Sequence, residues 1–236
     1  MHISYRDLHR LAAEVDELHR DQMRTFQEQA ADVHLDAVRA SRRTLAVPAA
    51  VGGAALVALP FMVSRVAAQG LDDQTIAGYA QSIELAAVDA YKAAAPVLSS
   101  GALPVAELFM SHHQQHADAF GAVAGDKQVT GPNQKLLTAL GPTLSGISDE
   151  MAALTFAFTL ENQAAYTYAA ALTLLQDPQY AAATSTILPI EAQHAVVLGL
   201  AVGKSVADVF PTQAFESSTL GDGTDPLAGL APATFA

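Results

Sequence analysis

The stretch PIEAQH, residues 189–194, places Glu191 and His194 three residues apart. Side chains at this spacing lie on the same face of an α-helix, so both can reach one site. The stretch SHHQQH, residues 111–116, repeats the spacing with two histidines. Two helices that each present two ligand-type side chains on one face predict a helical bundle in which these faces meet.

A single glutamate precedes each of these helical pairs. Glu84 lies in the segment IELAAVDAYKAA, and Glu161 lies in LENQAAYTYAAA, 77 residues later. The two helical pairs are 78 residues apart, so the whole order is repeated, as in a duplicated two-helix unit. Four-helix dimetal carboxylate proteins use one glutamate from each of two helices and a Glu-x-x-His from each of the others. The candidate metal ligands are therefore Glu84, His113, His116, Glu161, Glu191 and His194.

From about Asp72 to Val202 the chain resembles the ferritin-like superfamily, in particular the ferritin-like domains of secreted or membrane-anchored bacterial proteins. The resemblance implies an all-α fold, a ferritin-like four-helix bundle around a metal site. His113 departs from the family pattern, which has a bridging glutamate at this position. A site of three glutamates and three histidines is expected to hold one metal, a different metal, or two metals with a solvent bridge. Iron is the expected metal, with manganese and zinc as alternatives.

Three further side chains lie close to these candidates in the sequence. His112 is about 100° of helical turn from its neighbour His113, so it is expected to face solvent or to support a ligand. Tyr91 and Tyr168 each follow a candidate glutamate by seven residues, two turns along the same face. Each tyrosine is expected to pack in the core, to donate to a ligand or to carry a radical.

Residues 44–64 form an uncharged run of 21 residues. At about 1.5 Å per residue such a helix spans the ~30 Å hydrocarbon layer of a bilayer. Arg39, Arg42 and Arg43 precede the run, whereas Arg65 alone follows it closely. By the positive-inside rule, this bias predicts a single-pass protein of the cell membrane with a cytoplasmic N-terminus and an extracytoplasmic main domain.

Two sequence features concern export. The stretch SRRTL, residues 41–45, resembles a twin-arginine signal, a route for proteins that fold before they cross the membrane. The small residues VAA at 66–68 offer a signal-peptidase site, so removal of everything before Gln69 is the alternative to a retained anchor. The long segment before the apolar run favours a retained anchor over a cleaved signal.

Charge is unevenly distributed along the chain. Residues 1–43 carry seven arginines and eight acidic residues, whereas residues 69–236 carry four lysines, no arginine and sixteen acidic residues. The acidic part is not expected to bind nucleic acid or anionic lipid, because both repel negative charge. The chain has no cysteine, which excludes disulfides, thiolate metal sites and lipoprotein acylation.

Residues 4–40 contain no proline or glycine, which together with their apolar spacing predicts a helical arm. The apolar stripe of this arm consists of Leu8, Leu11, Val15 and Leu18. Gln22, Thr25 and Gln29 take the later seam positions, so the stripe fades. The arm is expected to form a short coiled coil, to dock on a neighbour or to lie at the membrane surface, although its mixed charges disfavour the last.

Capping residues and prolines predict four bundle helices at about residues 72–95, 104–123, 148–176 and 177–203. The glycine- and proline-rich residues 125–146 are expected to form a long crossover with a short helix near residues 134–140. The predicted domains are a cytoplasmic helical arm at residues 1–43, a transmembrane anchor at 44–68, the four-helix bundle at 69–203 and an extended tail at 204–236.

Two classes of function fit these features. The first is a membrane-anchored, extracytoplasmic metal-binding protein, redox-active with iron or manganese and acting on oxygen, peroxide or ferrous iron. The second is a non-catalytic accessory or structural subunit of a larger membrane complex, such as a respiratory complex. The expected partners are the membrane and other membrane-protein subunits or a second copy of the chain. Whether the protein is an enzyme stays open at this level.

Overall fold

The computed structural model describes residues 3–41 and 72–205 together with Val209. These residues form α-helices and short 3₁₀ turns and no strand, which confirms the all-α prediction for the described part of the chain. The helices are α1 (Tyr5–Ser41), α2 (Asp73–Ala94), α3 (Leu103–Ala124), α4 (Gln134–Ser145), α5 (Glu150–Leu172) and α6 (Pro178–Ala201). The 3₁₀ turns are Ala95–Val97 and Gly125–Lys127.

Side-chain caps determine where most of the bundle helices begin. At each capped start, a carboxylate or amide oxygen accepts a hydrogen bond from a backbone N–H two or three residues further on, which satisfies one of the free donors of the first turn. The capping residues are Asp72, Asn133, Asp149 and Asp177. Helix α5 ends at Leu172, before the predicted end at residue 176, and α6 continues through Pro189.

The bundle consists of two pairs of helices. Helices α2 and α3 pack along each other, and α5 and α6 do the same. The crossover between the pairs contains α4, which lies against α2. Phe109, Ile187 and Ile190 are fully buried. This arrangement turns one face of each of four helices toward a common interior.

Helix α1 is part of this fold, packed along α6 and α3. The ring of Tyr5 lies against Gly101, just before α3, and Phe26 packs edge-on against Phe120 near the end of α3, with ring centroids 5.7 Å apart. Helix α1 therefore runs parallel to α3 along the length of the bundle. Leu8, Ala12, Val15, Met23, Phe26, Ala30 and Val33 are its buried apolar residues.

The buried side of α1 differs from the predicted stripe. Leu11 and Leu18 are only half-buried, whereas His19 is fully buried. The seam continues to Val33 instead of fading, because the bundle accepts small and aromatic residues where a coiled coil would need large aliphatic ones. The partner that buries this face is the bundle of the same chain, so no other membrane protein is required for it.

The packing of α1 also bears on the predicted topology, which stays a prediction. A single membrane crossing at residues 44–64 would place α1 in the cytoplasm and α2 to α6 outside. A helix cannot bury its apolar face on a domain from which a bilayer separates it, so the packing of α1 on α6 and α3 argues against this single crossing. A twin-arginine signal that leaves the N-terminus in the cytoplasm meets the same objection.

None of the helices within residues 3–41 and 72–205 is long and apolar enough to cross a membrane. The apolar run at residues 44–64, the proposed cleavage point after residue 68 and nearly all of the tail lie outside the described residues.

Candidate metal centre

The six side chains predicted as metal ligands converge in the interior of the bundle. Glu84 comes from α2, Glu161 from α5, and the two pairs come from α3 and α6. Each is at most 2% exposed. Two overlapping groups have ligand atoms that all lie within 4.8 Å of one another. The groups are Glu84, His113, His116 and Glu191, and His113, Glu161, Glu191 and His194.

Glu191 belongs to both of these ligand groups. Its Oε1 is 2.9 Å from Nδ1 of His116, and its Oε2 is 3.5 Å from Nδ1 of His194. Although these atoms are close, no polar side-chain atom of Glu191 or His116 has a hydrogen-bond partner among the described residues. Buried polar atoms are rarely left in this state, and a bound cation would supply the missing partner.

His113 occupies the position at which the family pattern has a glutamate. Its Nδ1 is 2.7 Å from Oε2 of Glu84, and its Nε2 is 3.0 Å from Oε1 of Glu161. Burial opposes a charge on this ring, but Glu161, Glu191 and Glu84 outweigh it and raise the pKa of His113 well above its usual value. An imidazole can donate from both nitrogens only when it is protonated. The two carboxylates therefore favour the protonated form of His113, at the position where the resemblance implies a glutamate.

The pKa values of His116, His194 and Glu84 are also shifted by their neighbours. Burial works against the charge, but Glu84 and Glu191 raise the pKa of His116 to about 9. The pKa of His194 is also raised, mainly by Glu161 against the effect of burial. Burial raises the pKa of Glu84, but His113 and His116 dominate and lower it to about 2. Carboxylates and imidazoles of the centre thus stabilise one another's charged forms against the cost of burial.

Two buried tyrosines hold the single glutamates across the bundle. The hydroxyl of Tyr91 on α2 donates to Glu161 on α5, and the hydroxyl of Tyr168 on α5 donates to Glu84 on α2. Each half of the repeat thus orients the carboxylate of the other half. Burial and the neighbouring carboxylates raise the pKa of both tyrosines well above the usual value, so both hydroxyls keep their protons.

Helix α1 adds a group that the sequence analysis missed. Nδ1 of His112 is 2.9 Å from Nε2 of His194, and Nε2 of His112 is 3.2 Å from Oδ1 of Asp16. His19 stacks on His112 with ring centroids 3.8 Å apart. His112 therefore supports a candidate ligand, one of its two predicted roles. The sequence signal for His19 was its spacing of seven residues from both Ala12 and Phe26, the positions of a continuing seam.

A small cavity reaches the centre from the side of α2 and α5. Its volume is about 30 Å³. Glu84 and His113 form its inner wall, and Ile83, Leu136 and Leu160 are among the apolar residues that line it. The space is that of about one water molecule.

Comparison with known proteins agrees with this architecture. A family model described as a ferritin-like domain matches residues 98–204, from just before α3 to just beyond α6. No curated protein matches the chain, and no solved structure matches it. The matched range contains every candidate ligand except Glu84. The match and the helical architecture together support the ferritin-like superfamily for this part of the chain.

Proposed function

We propose that this chain is a ferritin-like metal-binding protein, with iron as the preferred metal and manganese or zinc as alternatives. The observation that carries the proposal is the convergence of six buried ligand-type side chains in which Glu191 and His116 have no hydrogen-bond partner among the described residues. Imidazole and carboxylate donors together suit these transition metals better than calcium or magnesium. The site thus has the donor chemistry for a metal and a local reason to bind one.

Each ligand has a distinct part in this proposal. Glu191 is the shared carboxylate, and His116 and His194 present their Nδ1 atoms to it. Glu84 and Glu161 complete the site, each oriented by a tyrosine from the opposite half. A bound iron or manganese ion would supply a redox-active, Lewis-acidic centre. The helices around the site exclude bulk water, and His113 holds a proton between the two outer carboxylates.

Charge favours one divalent metal in each chain. The three glutamates carry three negative charges, which one divalent cation and a protonated His113 balance. A second divalent cation would leave an uncompensated positive charge in a fully buried site, which is unfavourable. We therefore propose mononuclear occupancy, with His113 as the residue that separates this centre from a carboxylate-bridged pair.

The cavity beside Glu84 and His113 limits the substrate. A space of about 30 Å³ admits a molecule of the size of water, oxygen or peroxide, and ferrous iron is the remaining candidate substrate. We propose redox chemistry on such small species.

Elemental analysis tests the proposal. Protein expressed with added iron, manganese and zinc is purified and analysed, together with Glu191→Gln and the control Glu107→Gln, which changes an exposed glutamate on α3. We expect about one metal ion in each chain of the wild type and of the control, and a loss of most of it in Glu191→Gln. A wild type that stays free of metal after reconstitution would overturn the proposal.

A non-catalytic accessory subunit of a membrane complex is the second candidate. The observation in its favour is His113, whose two nitrogens already pair with Glu84 and Glu161, so the interior charges partly satisfy one another. In this proposal, the apolar residues 44–64 contact the membrane, while α1 and the bundle lie on one side of it. Co-migration of the protein with other membrane subunits, or with a second copy, in mild detergent would support this function, and migration as a metal-loaded monomer would contradict it.

A further inference from the structure

Helix α1 reaches the proposed metal centre through a chain of two hydrogen bonds. Nε2 of His194 faces Nδ1 of His112 at 2.9 Å, and Nε2 of His112 faces Oδ1 of Asp16 at 3.2 Å. His194 and His112 are fully buried, whereas Asp16 is partly exposed. These two hydrogen bonds thus connect the interior of the bundle with its surface.

The number of protons on the two rings determines which nitrogen donates in each of these hydrogen bonds. If Nδ1 of His194 binds a metal, the proton of that neutral ring is on Nε2, and it is donated to Nδ1 of His112. His112 then has its own proton on Nε2, where the carboxylate of Asp16 accepts it.

We propose that Asp16 is a positioning residue for the metal centre, acting through His112 to hold His194 in the tautomer and orientation that present Nδ1 to the metal. The inference rests on the proposed function. Outer hydrogen-bond partners of this kind orient a ligating histidine and increase its basicity. Helix α1 then positions a metal ligand in addition to packing over the centre.

Asp16, His19 and His112 also have ligand atoms that lie within 4.8 Å of one another. The proton positions on His112 and His194 argue against a separate metal there. A metal on Nε2 of His112 would move the proton of that ring to Nδ1. Nε2 of His194 would then have to accept, and Nδ1 of His194 would carry a proton toward the carboxylates. The stacking of His19 on His112, at 13° between ring planes, also keeps their lone pairs nearly parallel rather than convergent.

Zinc binding tests the inference with three variants. Asp16→Ala removes the acceptor, Asp16→Asn keeps an oxygen without the charge, and Asp21→Ala is the control. The control is matched because Asp16 pairs with Arg20 and Asp21 pairs with Arg24 on the exposed side of α1, but only Asp16 reaches a histidine. We expect zinc affinity, measured by chelator competition, to fall about 10- to 100-fold in Asp16→Ala, less in Asp16→Asn, and not in the control.

Nitrogen-15 NMR of the histidines in the zinc-loaded wild type is a readout that does not depend on a variant folding. We expect protons on Nε2 of both His194 and His112. A proton on Nδ1 of His112, or equal zinc affinity in the wild type and a folded Asp16→Ala, overturns the inference and leaves the proposed function intact. A wild type that binds no zinc, iron or manganese overturns both.

Discussion

At the scale of single residues, the identity of residue 113 sets the charge of the centre. His113 lies between Glu84 and Glu161 and pairs with both. A carboxylate there would instead add an oxygen donor and remove a positive charge. With His113, the charges of the cluster partly neutralise one another. With a carboxylate at this position, we expect the site to accept two cations.

His113→Glu should raise iron loading toward two ions in each chain. The added oxygen can bridge two metals, and the lost imidazolium makes a second divalent cation electrostatically acceptable. Elemental analysis of the reconstituted protein measures the change. Gln114→Glu adds the same charge at the next, exposed position of α3 and should leave loading unchanged. Equal loading of His113→Glu and the wild type would contradict this account of the site.

The affinity of the centre for a divalent metal should rise with pH. Nδ1 of His116 must lose its proton to bind a metal, and its pKa is raised from 6.5 to about 9. Below about pH 9 the proton on His116 competes with the metal, so binding strengthens as pH rises toward 9, and the contribution of His116 levels off above it. Chelator competition with zinc at several pH values measures the slope. An affinity that does not change over this range would show that His116 does not bind the metal.

At the scale of helices, close backbone contacts decide where α2 lies. A Cβ atom at Gly78 would collide with the backbone carbonyl of Lys127, in the turn after α3, and that carbonyl cannot rotate away as a side chain would. The short distance between α2 and this turn thus depends on the absence of a side chain at one position.

Gly78→Ala should therefore destabilise the fold by about 1–3 kcal/mol, the usual range for overpacking. The matched variant is Gly141→Ala in α4, where nothing lies within 4 Å of the added methyl group. That change should alter stability by less than about 1 kcal/mol, because the added methyl group meets no atom beyond those of its chain neighbours. Urea unfolding monitored by circular dichroism compares the two. A loss of stability at Gly141 and none at Gly78 would refute the packing argument.

At the scale of the whole molecule, the contact of α1 with α3 and α6 predicts that α1 and the bundle lie in the same compartment. The natural absence of cysteine allows single reporters at exposed positions, Glu14→Cys on α1 and Gln115→Cys on α3. In intact cells, a membrane-impermeant maleimide should label both variants or neither, because the two helices lie in one compartment. Lysed cells give the control for complete labelling. Labelling of only one variant in intact cells would restore the single-crossing topology.

The sequence alone determined the helices of the bundle, their caps and the six candidate ligands, because each of these depends on spacing within a single helix or on a repeated order of such spacings. Glu191 and His194 share a face in any helix, whatever surrounds them. The tertiary structure alone decided that Tyr91 pairs with Glu161, that His113 joins two carboxylates, and that α1 brings Asp16 to His112. Those contacts join residues 29 to 96 positions apart. No local spacing encodes such a contact, since it depends on which helical faces meet once the apolar surfaces are buried together.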